Sequence, residues 1–242
     1  MNSGPRLAWI RPGAAPEAFP DPLDALDEPN GLLAAGGDLA PARLLAAYER
    51  GIFPWFSAGE PILWWCPDPR AVILPGQLHV SRRLARTLRS GRFTASVDQA
   101  FGEVIHLCAT SRGGSGTWLT PEMIAAYCRL HELGVAHSVE SWVGGRLAGG
   151  IYGISLGRIF FGESMVSVVP DGSKAALAAL ASLALAAGIE LIDCQVANPH
   201  LLRLGATLMP RREFLGRIAR GVREPPLQRL RAAAASPIPL RP

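Results

Sequence analysis

The sequence predicts an α+β fold with a small N-terminal α/β domain over residues 1–70 and a larger domain over residues 71–242. Three observations predict this organisation. Strand-like segments joined by tight glycine turns predict an antiparallel meander over residues 136–165. Segments with helical spacing precede and follow the meander. Pro67 and Pro69 break any regular element and mark the domain boundary.

The N-terminal domain is predicted to contain little regular structure before its first helix. Residues 1–30 are rich in Pro, Ala and Asp and are expected to be irregular. A helix is then predicted to begin near Asp38, with Pro41 in its first turn and Gly51 as its C-terminal stop. One helix is therefore the only long regular element expected before the aromatic-rich segment that follows.

That aromatic-rich segment covers residues 51–70. It contains three of the six tryptophans of the chain, Trp55, Trp64 and Trp65, set among prolines that restrict the backbone. Such rings form either a rigid corner of the core or a platform on which flat rings such as nucleobases stack. Buried aromatics are the commoner case, and the segment alone leaves both interpretations open.

The larger domain is predicted to place helices around the meander. Its expected elements are a strand at 71–74, helices at 81–89, 98–111 and 121–133, a strand at 93–97, the meander strands at 136–143, 146–154 and 158–165, a helix at 174–187 and a strand at 189–196. This order is that of an acetyltransferase-like core, a mainly antiparallel mixed sheet flanked by helices. Element order alone says little about the chemistry.

The composition predicts a cytoplasmic protein without membrane contact. Hydrophobic residues make up 49% of the 242 residues, which is enough for a large core. The apolar segment 174–187 is too short to span a bilayer, and residues 1–11 lack the basic-then-apolar layout of a secretory signal. The four cysteines have no CxxC spacing, so we expect neither a disulfide nor a metal site.

The basic residues are almost all arginines, and their positions are more informative than their number. The formal charge is +4 and the pI is about 9.2, with Lys174 as the sole lysine. Arg82, Arg83, Arg86 and Arg89 have the spacing that gathers side chains on one side of a helix. That side is either a solvated face or a site for phosphate groups, which the planar guanidinium suits.

Two polar residues occur in the otherwise apolar strand predicted at 189–196. Side chains alternate along a strand, so Asp193 and Gln195 are expected on one face and Cys194 on the other. Burying Asp193 without partners would cost several kcal/mol. Asp193 is therefore either a functional residue beside Gln195 or a buried acid that binds the backbone of a neighbouring turn. Cys194 is interpreted as a core thiol.

A second acid, Glu163, interrupts the apolar strand predicted at 158–165. Gly162 before it permits a bulge or the close approach of another backbone. If Glu163 and Asp193 share a cleft, the two acids could hold a cation or an amine. The alternative is a Glu on an edge strand in water. Asn198 follows the end of the next strand, where it can bind a loop or a ligand.

Eight segments of the chain, taken together and in this order, closely resemble the bacterial leucyl/phenylalanyl-tRNA protein transferases. They cover roughly residues 19–215 and none of them is generic on its own. The segments are Glu28-Pro-Asn-Gly-Leu-Leu-Ala, Gly36-Gly-Asp-Leu, Gly51-Ile-Phe-Pro-Trp-Phe-Ser, Leu63-Trp-Trp-Cys-Pro-Asp-Pro-Arg, Gly116-Thr-Trp-Leu-Thr, Leu130-His-Glu-Leu-Gly, Phe161-Gly-Glu-Ser-Met and Leu191-Ile-Asp-Cys-Gln.

This resemblance implies a substrate and a reaction. Members of the family move Leu or Phe, and less often Met, from aminoacyl-tRNA to the amino terminus of proteins that begin with Arg or Lys, which marks those proteins for N-end rule degradation. The implied fold is a small N-terminal domain joined to an acetyltransferase-like domain that uses no CoA. We therefore expect aminoacyl-tRNA and basic amino termini as partners, no cofactor and a monomer.

The resemblance also implies roles for residues at matching positions. Trp55 and Trp118 are expected to hold the terminal adenosine. Phe160, Met165 and Ile151 are expected to line the pocket for the transferred side chain, and Ile151 stands where the family has a Met. These assignments predict an altered ranking of Leu, Phe and Met and not a new substrate, because one methylene in a pocket is worth about 1–3 kcal/mol.

The implied catalytic pair is Asp193 and Gln195, with Glu163 and Asn198 in the same site. Because an amide is a poor base, we expect Gln195 to position the attacking α-amine and Asp193 to be the proton acceptor. Glu163 is expected to attract the basic amino terminus. The arginines at 82, 83, 86 and 89 are expected to bind tRNA phosphates.

Three other functions fit the sequence less well. A CoA-dependent N-acetyltransferase needs a Gly-rich pyrophosphate loop, which residues 166–173 do not supply. A non-enzymatic RNA-binding module would give Glu163, Asp193 and Gln195 no function. A peptidase built on Cys194 and His200 needs the thiol to face the polar pair, which the strand alternation argues against.

Overall fold

The computed structural model describes residues 7–111, 118–225 and 229–233, so Gly116 and Thr117 of the resembling segments lie outside the described residues. The strands, numbered in chain order, are β1 (Ala8–Ile10), β2 (Leu32–Gly36), β3 (Phe53–Pro54), β4 (Leu63–Trp65), β5 (Arg70–Ile73), β6 (Thr94–Val97), β7 (Ala136–Val143), β8 (Arg146–Leu156), β9 (Ile159–Ser167), β10 (Leu191–Asp193) and β11 (Thr207–Met209). The helices are α1 (Pro41–Tyr48), α2 (Arg82–Arg89), α3 (Phe101–Thr110), α4 (Pro121–Glu132), α5 (Gly172–Ala187), α6 (Pro199–Arg203), α7 (Arg211–Gly221) and α8 (Leu230–Ala233).

The short strands before residue 66 form a four-stranded sheet in the order β1-β2-β4-β3. Strand β1 pairs parallel to β2, whereas β2 and β3 both pair antiparallel to β4. The sequence predicts none of these strands, and the expectation that residues 1–30 are irregular is wrong for β1. The strands of this sheet are two to five residues long, too short for a repeating pattern of apolar residues to identify them.

The aromatic-rich segment contributes both a core corner and an exposed ring. Trp64 on β4 is fully buried and meets the ring of Phe19 edge-on at 4.9 Å between centroids. Trp55 is 43% exposed and lies 5.7 Å from the ring of Trp65, whose indole N–H donates to the Trp55 carbonyl oxygen at 2.7 Å. The core-corner interpretation is therefore confirmed for Trp64, and a stacking role of the exposed Trp55 ring stays a prediction.

The remaining strands form a seven-stranded sheet in the order β11-β5-β10-β9-β8-β7-β6. Strands β6 to β9 are an antiparallel meander, β10 lies parallel to β9, and β5 pairs antiparallel to both β10 and β11. The predicted α+β class, with a mainly antiparallel mixed sheet, is confirmed. Its long strands and α5 agree with the predicted segments because glycine turns bound the strands and Gly188 ends the helix.

Helices cover both faces of the seven-stranded sheet. On β8, Tyr152 and Ile154 belong to the core cluster that includes α3 and α4, whereas Ile151 belongs to the cluster built on α5. The same alternation on β9 places Phe161 in the first cluster and Phe160 in the second. A small residue is needed where α5 begins, since a Cβ at Gly172 would lie 2.0 Å from the Ala148 carbonyl oxygen.

The two sheets share one buried core. Tyr48 and Trp64 from the N-terminal part belong to the same cluster as Tyr127 and Phe214 from the C-terminal part. Helix α7 also packs close to the end of α1, because a Cβ at Gly51 would lie 2.7 Å from the Phe214 ring. The division into two domains at residue 70 therefore stays a prediction. Within the described ranges, none of the helices combines the length and apolarity that crossing a membrane requires.

Candidate active site

The strand that carries Asp193 ends earlier than the sequence predicts. Strand β10 stops at Asp193, and Gln195 adopts a left-handed backbone with φ of 54°. Its backbone N–H donates to Asp193 Oδ1 at 3.0 Å, which closes a turn over two residues. The Gln195 carbonyl oxygen accepts from the Ala71 N–H at 3.1 Å, and Cys194 N–H donates to the Ala71 carbonyl oxygen at 2.9 Å. The turn therefore fixes the backbone of Gln195 against β5.

This turn overturns the predicted placement of side chains. Cys194 and Gln195 both line a cavity next to the turn, whereas Asp193 does not. The alternation that would place Asp193 and Gln195 on one face is wrong because the left-handed residue breaks the period of two. Cys194 keeps its predicted side, since it packs with Ile192 against the α5 cluster whereas Leu191 belongs to the other core cluster. It shares the cavity with Gln195 because Gln195 is the residue that departs from the alternation.

Asp193 is instead a completely buried partner of Arg70. Arg70 Nε donates to Oδ1 at 2.8 Å and Arg70 Nη2 donates to Oδ2 at 2.7 Å, with both side chains 0% exposed. The guanidinium lies over the rings of Phe53, at 4.8 Å, and Phe214, at 4.5 Å. Burial lowers the pKa of Arg70, but the charge and hydrogen bonds of Asp193 outweigh it and raise the pKa.

This pairing changes the role of Asp193. The carboxylate is held in a buried ion pair and does not line the cavity, so Asp193 is a poor choice for the expected proton acceptor. The interpretation of Asp193 as a buried acid that binds a neighbouring turn agrees with the observed geometry. Asp193 is a positioning residue that connects Arg70 on β5 to the backbone of Gln195.

Sequence reasoning missed Arg70, although a signal for it was present. Arg70 opens a strand in which all four residues are buried, and a buried arginine needs a carboxylate. Asp193 in its apolar strand has the converse need. The sequence therefore signals that Arg70 and Asp193 each need a partner of opposite charge, although it does not show that they pair with each other.

Glu163 lies in a bulge of β9, as Gly162 permitted. The register between β8 and β9 shifts between the pairs Tyr152–Ser164 and Gly153–Gly162, so Glu163 has no residue opposite it. Strand β9 lies inside the sheet between β10 and β8. The alternative of an edge-strand Glu in water is therefore wrong.

The Glu163 carboxyl group is held by neutral donors. Tyr48 Oη donates to Oε1 at 2.8 Å and Tyr127 Oη donates to Oε2 at 2.9 Å, while the two tyrosine oxygens are 2.6 Å apart. Gln195 Nε2 donates to Oε1 at 3.2 Å. Burial raises the pKa of Glu163 to about 7, against the opposing effect of the tyrosine hydrogen bonds. Glu163 can therefore exchange a proton near neutral pH.

The two tyrosines come from separate parts of the chain and were missed by sequence reasoning. Tyr48 ends α1 and Tyr127 lies in the middle of α4, and both are completely buried. Burial, followed by the charge of Glu163, raises the pKa of each well above 10. Both hydroxyls therefore stay protonated and act as hydrogen-bond donors to the carboxyl group.

The cavity beside the turn has a volume of about 490 Å³ and brings most of the predicted site residues together. Of those residues, the ones that line it are Trp55, Trp118, Ile151, Glu163, Met165, Gln195 and Asn198. Leu177 and Ile192 extend its apolar wall. Its size and its mixture of an apolar wall with few polar groups are those of a ligand site.

Two predicted site residues have other surroundings than expected. Phe160 is fully buried in the core cluster that also contains Ile151, and it is not among the residues that line the cavity. Asn198 lines the cavity but also caps α6, since its Oδ1 accepts from the Leu201 N–H at 2.9 Å. Phe160 therefore supports the pocket wall from behind, and Asn198 has only part of its carboxamide available to a ligand.

Cys194 and His200 also line the cavity. Burial, then the negative charge of Asp193, raises the pKa of the Cys194 thiol far above its usual value. A thiol that stays protonated is a weak nucleophile. Burial lowers the pKa of His200, as do the positive charges of Lys174 and Arg203. These shifts disfavour a cysteine peptidase.

The predicted arginine helix is α2, and Ser81 caps it by accepting from the Leu84 N–H at 3.2 Å. Arg82, Arg83, Arg86 and Arg89 are all exposed. Their binding of phosphate stays a prediction. Within the part of the chain that the structure describes, no group of three His, Cys, Asp or Glu side chains could hold a metal ion.

The comparisons with known proteins point to one family. The sequence model described as leucyl/phenylalanyl-tRNA protein transferase matches residues 72–219, and the model of the N-terminal domain of that family matches residues 37–68. The gap between the two matches falls where the chain passes from β4 to β5.

Curated proteins from several bacteria are similar over most of their length. A leucyl/phenylalanyl-tRNA–protein transferase of Anaeromyxobacter sp. (strain K) is 58% identical over 213 residues, 87% of this chain and 91% of the relative. Proteins of the same name from Azoarcus sp. (strain BH72) and Chromobacterium violaceum are 58% and 53% identical over 86% and 93% of this chain, and 89% and 95% of their own lengths. A solved structure of a GCN5-related N-acetyltransferase from Kribbella flavida aligns with 70% of this chain and 61% of its own chain. The identity is 15% and the TM-score is 0.37, which is too weak a similarity to indicate a shared function.

Proposed function

The chain belongs to the leucyl/phenylalanyl-tRNA protein transferase family, and from this premise we propose that it transfers Leu or Phe, and less often Met, from aminoacyl-tRNA to the amino terminus of proteins that begin with Arg or Lys. The chain is an aminoacyltransferase. The transfer marks the acceptor protein for degradation by the N-end rule. Because the donor is charged tRNA, the reaction takes place in the cytoplasm, and we expect the enzyme to act as a monomer.

One observation supports this proposal most strongly. A single cavity contains two indole rings, an apolar wall, the carboxamide of Gln195 and the carboxyl group of Glu163, whose pKa is about 7. The indoles match the terminal adenosine of the donor, and the apolar wall matches its aminoacyl side chain. Gln195 and Glu163 match the α-amine of the acceptor.

The indoles suit the terminal adenosine. Trp55 is 43% exposed at the cavity, and Trp118 is half-buried there. Trp65 holds the backbone of Trp55 through its indole N–H, which keeps the exposed ring in place. Stacking on an aromatic ring is worth about 1–3 kcal/mol per base.

The apolar wall suits the side chain of Leu or Phe. Ile151, Met165, Leu177 and Ile192 line the same cavity and belong to, or pack against, one core cluster. Fully buried Phe160 lies in that cluster and gives the wall its rigidity. Ile151, which stands in place of a family Met, is branched and less adaptable than Met, so we expect it to alter the ranking of Leu, Phe and Met.

Gln195 and Glu163 suit the acceptor amine. The α-amine nitrogen forms a bond to the ester carbonyl carbon, and the bond from that carbon to the ribose oxygen breaks. The proton lost by the amine ends on the ribose oxygen. Because Gln195 Nε2 donates to Glu163, the carboxamide oxygen is the atom that accepts a hydrogen bond from the amine and directs its lone pair.

Glu163 has two functions in this proposal. As a carboxylate, it attracts the basic residue at the acceptor terminus. With a pKa of about 7, it also takes the proton that an α-ammonium group, with an ordinary pKa of about 7.7–8.0, must lose before it can attack. Glu163 therefore replaces Asp193 as the expected proton acceptor, and Asp193 keeps Gln195 in position.

The exposed face of α2 is the proposed contact for tRNA phosphates. Arg82, Arg83, Arg86 and Arg89 lie on this short helix, and guanidinium groups bind phosphate oxygens in pairs. Charge reversal on this face is expected to weaken tRNA binding and to reduce its dependence on salt.

The proposal is tested by incubating the purified protein with labelled Leu-tRNA or Phe-tRNA and peptides that differ only in the first residue. Label is expected on peptides that begin with Arg or Lys and not on one that begins with Ala. Labelled acetyl-CoA in a parallel reaction tests the acetyltransferase alternative. Acetylation without aminoacyl transfer would overturn the proposal.

A further inference from the structure

A group of cationic side chains lies beside the cavity, and of these only Arg83 has been given a role so far. The group consists of Lys174, Arg203 and Arg83, and we refer to these three residues as the rim cations. His200 lies among them as a neutral imidazole, because burial and the charges of Lys174 and Arg203 lower its pKa. Lys174 is the only lysine of the chain. A lysine carries a compact charge with three donors, which suits a phosphate oxygen.

The rim cations are attached to the cavity wall. Ser173 and His200 both line the cavity, and Lys174 directly follows Ser173 in the first turn of α5. Arg203 follows His200 by three residues on α6, the spacing that places two side chains on one side of a helix. Positive charges therefore flank the cavity where α5 begins and where α6 lies.

Asp171 links the rim cations to α2. Its Oδ1 accepts from Lys174 Nζ at 2.9 Å and from Arg83 Nη2 at 2.9 Å. Lys174 and Arg83 therefore lie next to each other, although α2 and α5 are distant in sequence. Cations then continue from the exposed face of α2 to the edge of the cavity.

The rim cations carry more positive charge than their acidic partner can neutralise. In the described ranges, Asp171 is the only carboxylate within ion-pair distance of any of them. It serves both Lys174 and Arg83, and Arg203 has no ion-pair partner there. The side chain of Arg83 is 70% exposed and that of Lys174 is 30% exposed. Both therefore keep donors that a bound anion can reach.

The chemistry of the donor substrate indicates which anion fits. In the 3′-terminal adenosine of a charged tRNA, the ester is on the ribose and the preceding phosphate is on the 5′ oxygen. If the ester lies at Gln195 and Glu163, the 5′ phosphate must leave the cavity along its edge. The rest of the RNA then runs toward the exposed arginines of α2.

We propose that Lys174, together with His200 and Arg203, binds the phosphodiester that joins the terminal adenosine to the preceding nucleotide. This inference rests on the proposed function. Arg83 then receives the next part of the backbone, so the rim cations guide the RNA from α2 to the cavity. Lys174 is a substrate-binding residue in this account and takes no part in the chemical step.

The experiment compares ligands that differ by one phosphate. Dissociation constants of adenosine, 5′-AMP and cytidylyl-(3′→5′)-adenosine are measured by calorimetry for the parent protein and for Lys174→Gln, Lys174→Arg and Arg217→Gln. Arg217 is the matched control, because it lines a groove with Ile159 and Leu191 at the opposite end of β10 from the cavity. Transfer from Leu-tRNA is measured in parallel.

The dinucleotide is expected to bind the parent protein about 10-fold more tightly than adenosine, the effect of one charge-assisted hydrogen bond. Lys174→Gln should lose most of this gain and leave adenosine binding unchanged, whereas Lys174→Arg and Arg217→Gln should keep it. Lys174→Gln should also reduce the slope of log K for tRNA against log salt concentration by about 0.7.

The remaining outcomes separate the two proposals. If transfer occurs and Lys174→Gln binds the dinucleotide like the parent protein, the phosphate site is wrong and the proposed function stands. If 5′-AMP shows the gain but the dinucleotide does not, the site takes a free monophosphate and the inference is overturned. If no transfer occurs while the dinucleotide gain still depends on Lys174, the proposed function fails and the phosphodiester site is supported.

Discussion

Asp193 and Glu163 are two acids on neighbouring strands, and their surroundings differ in the charge of their partners. Asp193 on β10 pairs in register with Phe161 on β9, only two residues before Glu163. Asp193 accepts two hydrogen bonds from a guanidinium. Glu163 accepts its bonds from two phenols and an amide, none of which carries a charge.

This difference shows how a fold assigns different roles to two similar groups. A positive partner compensates the loss of water around Asp193, so that carboxylate is a fixed part of the core. Neutral donors compensate Glu163 only in part, and its pKa rises to about 7. The charge of the partner therefore decides which acid holds the structure and which acid can exchange a proton.

The largest expected effect comes from removing Asp193. Asp193→Ala leaves the Arg70 guanidinium buried without its counterion, so the free energy of unfolding should fall by about 3–5 kcal/mol. Chemical denaturation measures this change. Transfer should also be lost, since the Gln195 N–H loses its acceptor.

A double variant separates these two consequences. Arg70→Met combined with Asp193→Leu removes both charges and should recover most of the stability, but transfer should stay low because the Gln195 turn is not restored. If Asp193→Ala instead unfolds like the parent protein and is nevertheless inactive, then Asp193 acts in the chemistry and the distinction between the two acids is wrong.

The second effect depends on the pH response of Glu163. Its folded-state pKa of about 7 lies above the usual 4.5, so the folded protein binds more protons than the unfolded chain between these values. The contribution of Glu163 is fully present below pH 4.5 and is lost as the pH rises through about 7. The free energy of unfolding should therefore fall by about 2–3 kcal/mol over this range.

Glu163→Gln should remove this slope, which denaturation curves at a series of pH values can measure. The ratio of parent to variant transfer rates should also rise through pH 7, and taking the ratio cancels the titration of the substrate amine. If parent and variant lose stability equally between pH 4.5 and 7, another group is responsible and Glu163 is not the titrating acid.

The smallest expected effect concerns the two indoles at the cavity, which we propose to bind the terminal adenosine. Trp55→Ala and Trp118→Ala should each raise KM for aminoacyl-tRNA by the equivalent of about 1–3 kcal/mol. The free energy of unfolding of the Trp55 variant should change little, because that side chain is 43% exposed. Trp9→Ala is the control, since Trp9 is 63% exposed and does not line the cavity. An equal rise in KM for Trp9→Ala would remove the distinction between platform and surface.

Much of the seven-stranded sheet could be predicted because its long strands are bounded by glycine turns and its helices by capping and stop residues. The sequence also identified Asp193, Gln195 and Glu163, since a polar residue in an apolar strand needs an explanation. Their partners could not be identified in the same way. Arg70 is 123 residues from Asp193, and Tyr48 is 115 residues from Glu163. No local pattern records contacts across such separations.

Two errors in the predicted site have local causes. The turn after Asp193 consists of a side-chain hydrogen bond to the backbone and a left-handed Gln195, and neither leaves a sign in a strand-like sequence. The resemblance to the family assigned the apolar residue Phe160 to the pocket. Alternation along β9 in fact places it in the core cluster behind the cavity wall.

The left-handed backbone of Gln195 sets stability against activity at one position. A φ of 54° is conformationally unfavourable for a residue with a side chain but not for glycine. A redesign for thermal stability alone would place glycine at 195, and this substitution should raise the free energy of unfolding. If Gln195 positions the amine as proposed, the resulting enzyme would be more stable but inactive, and the function of the side chain would outweigh its cost to the fold.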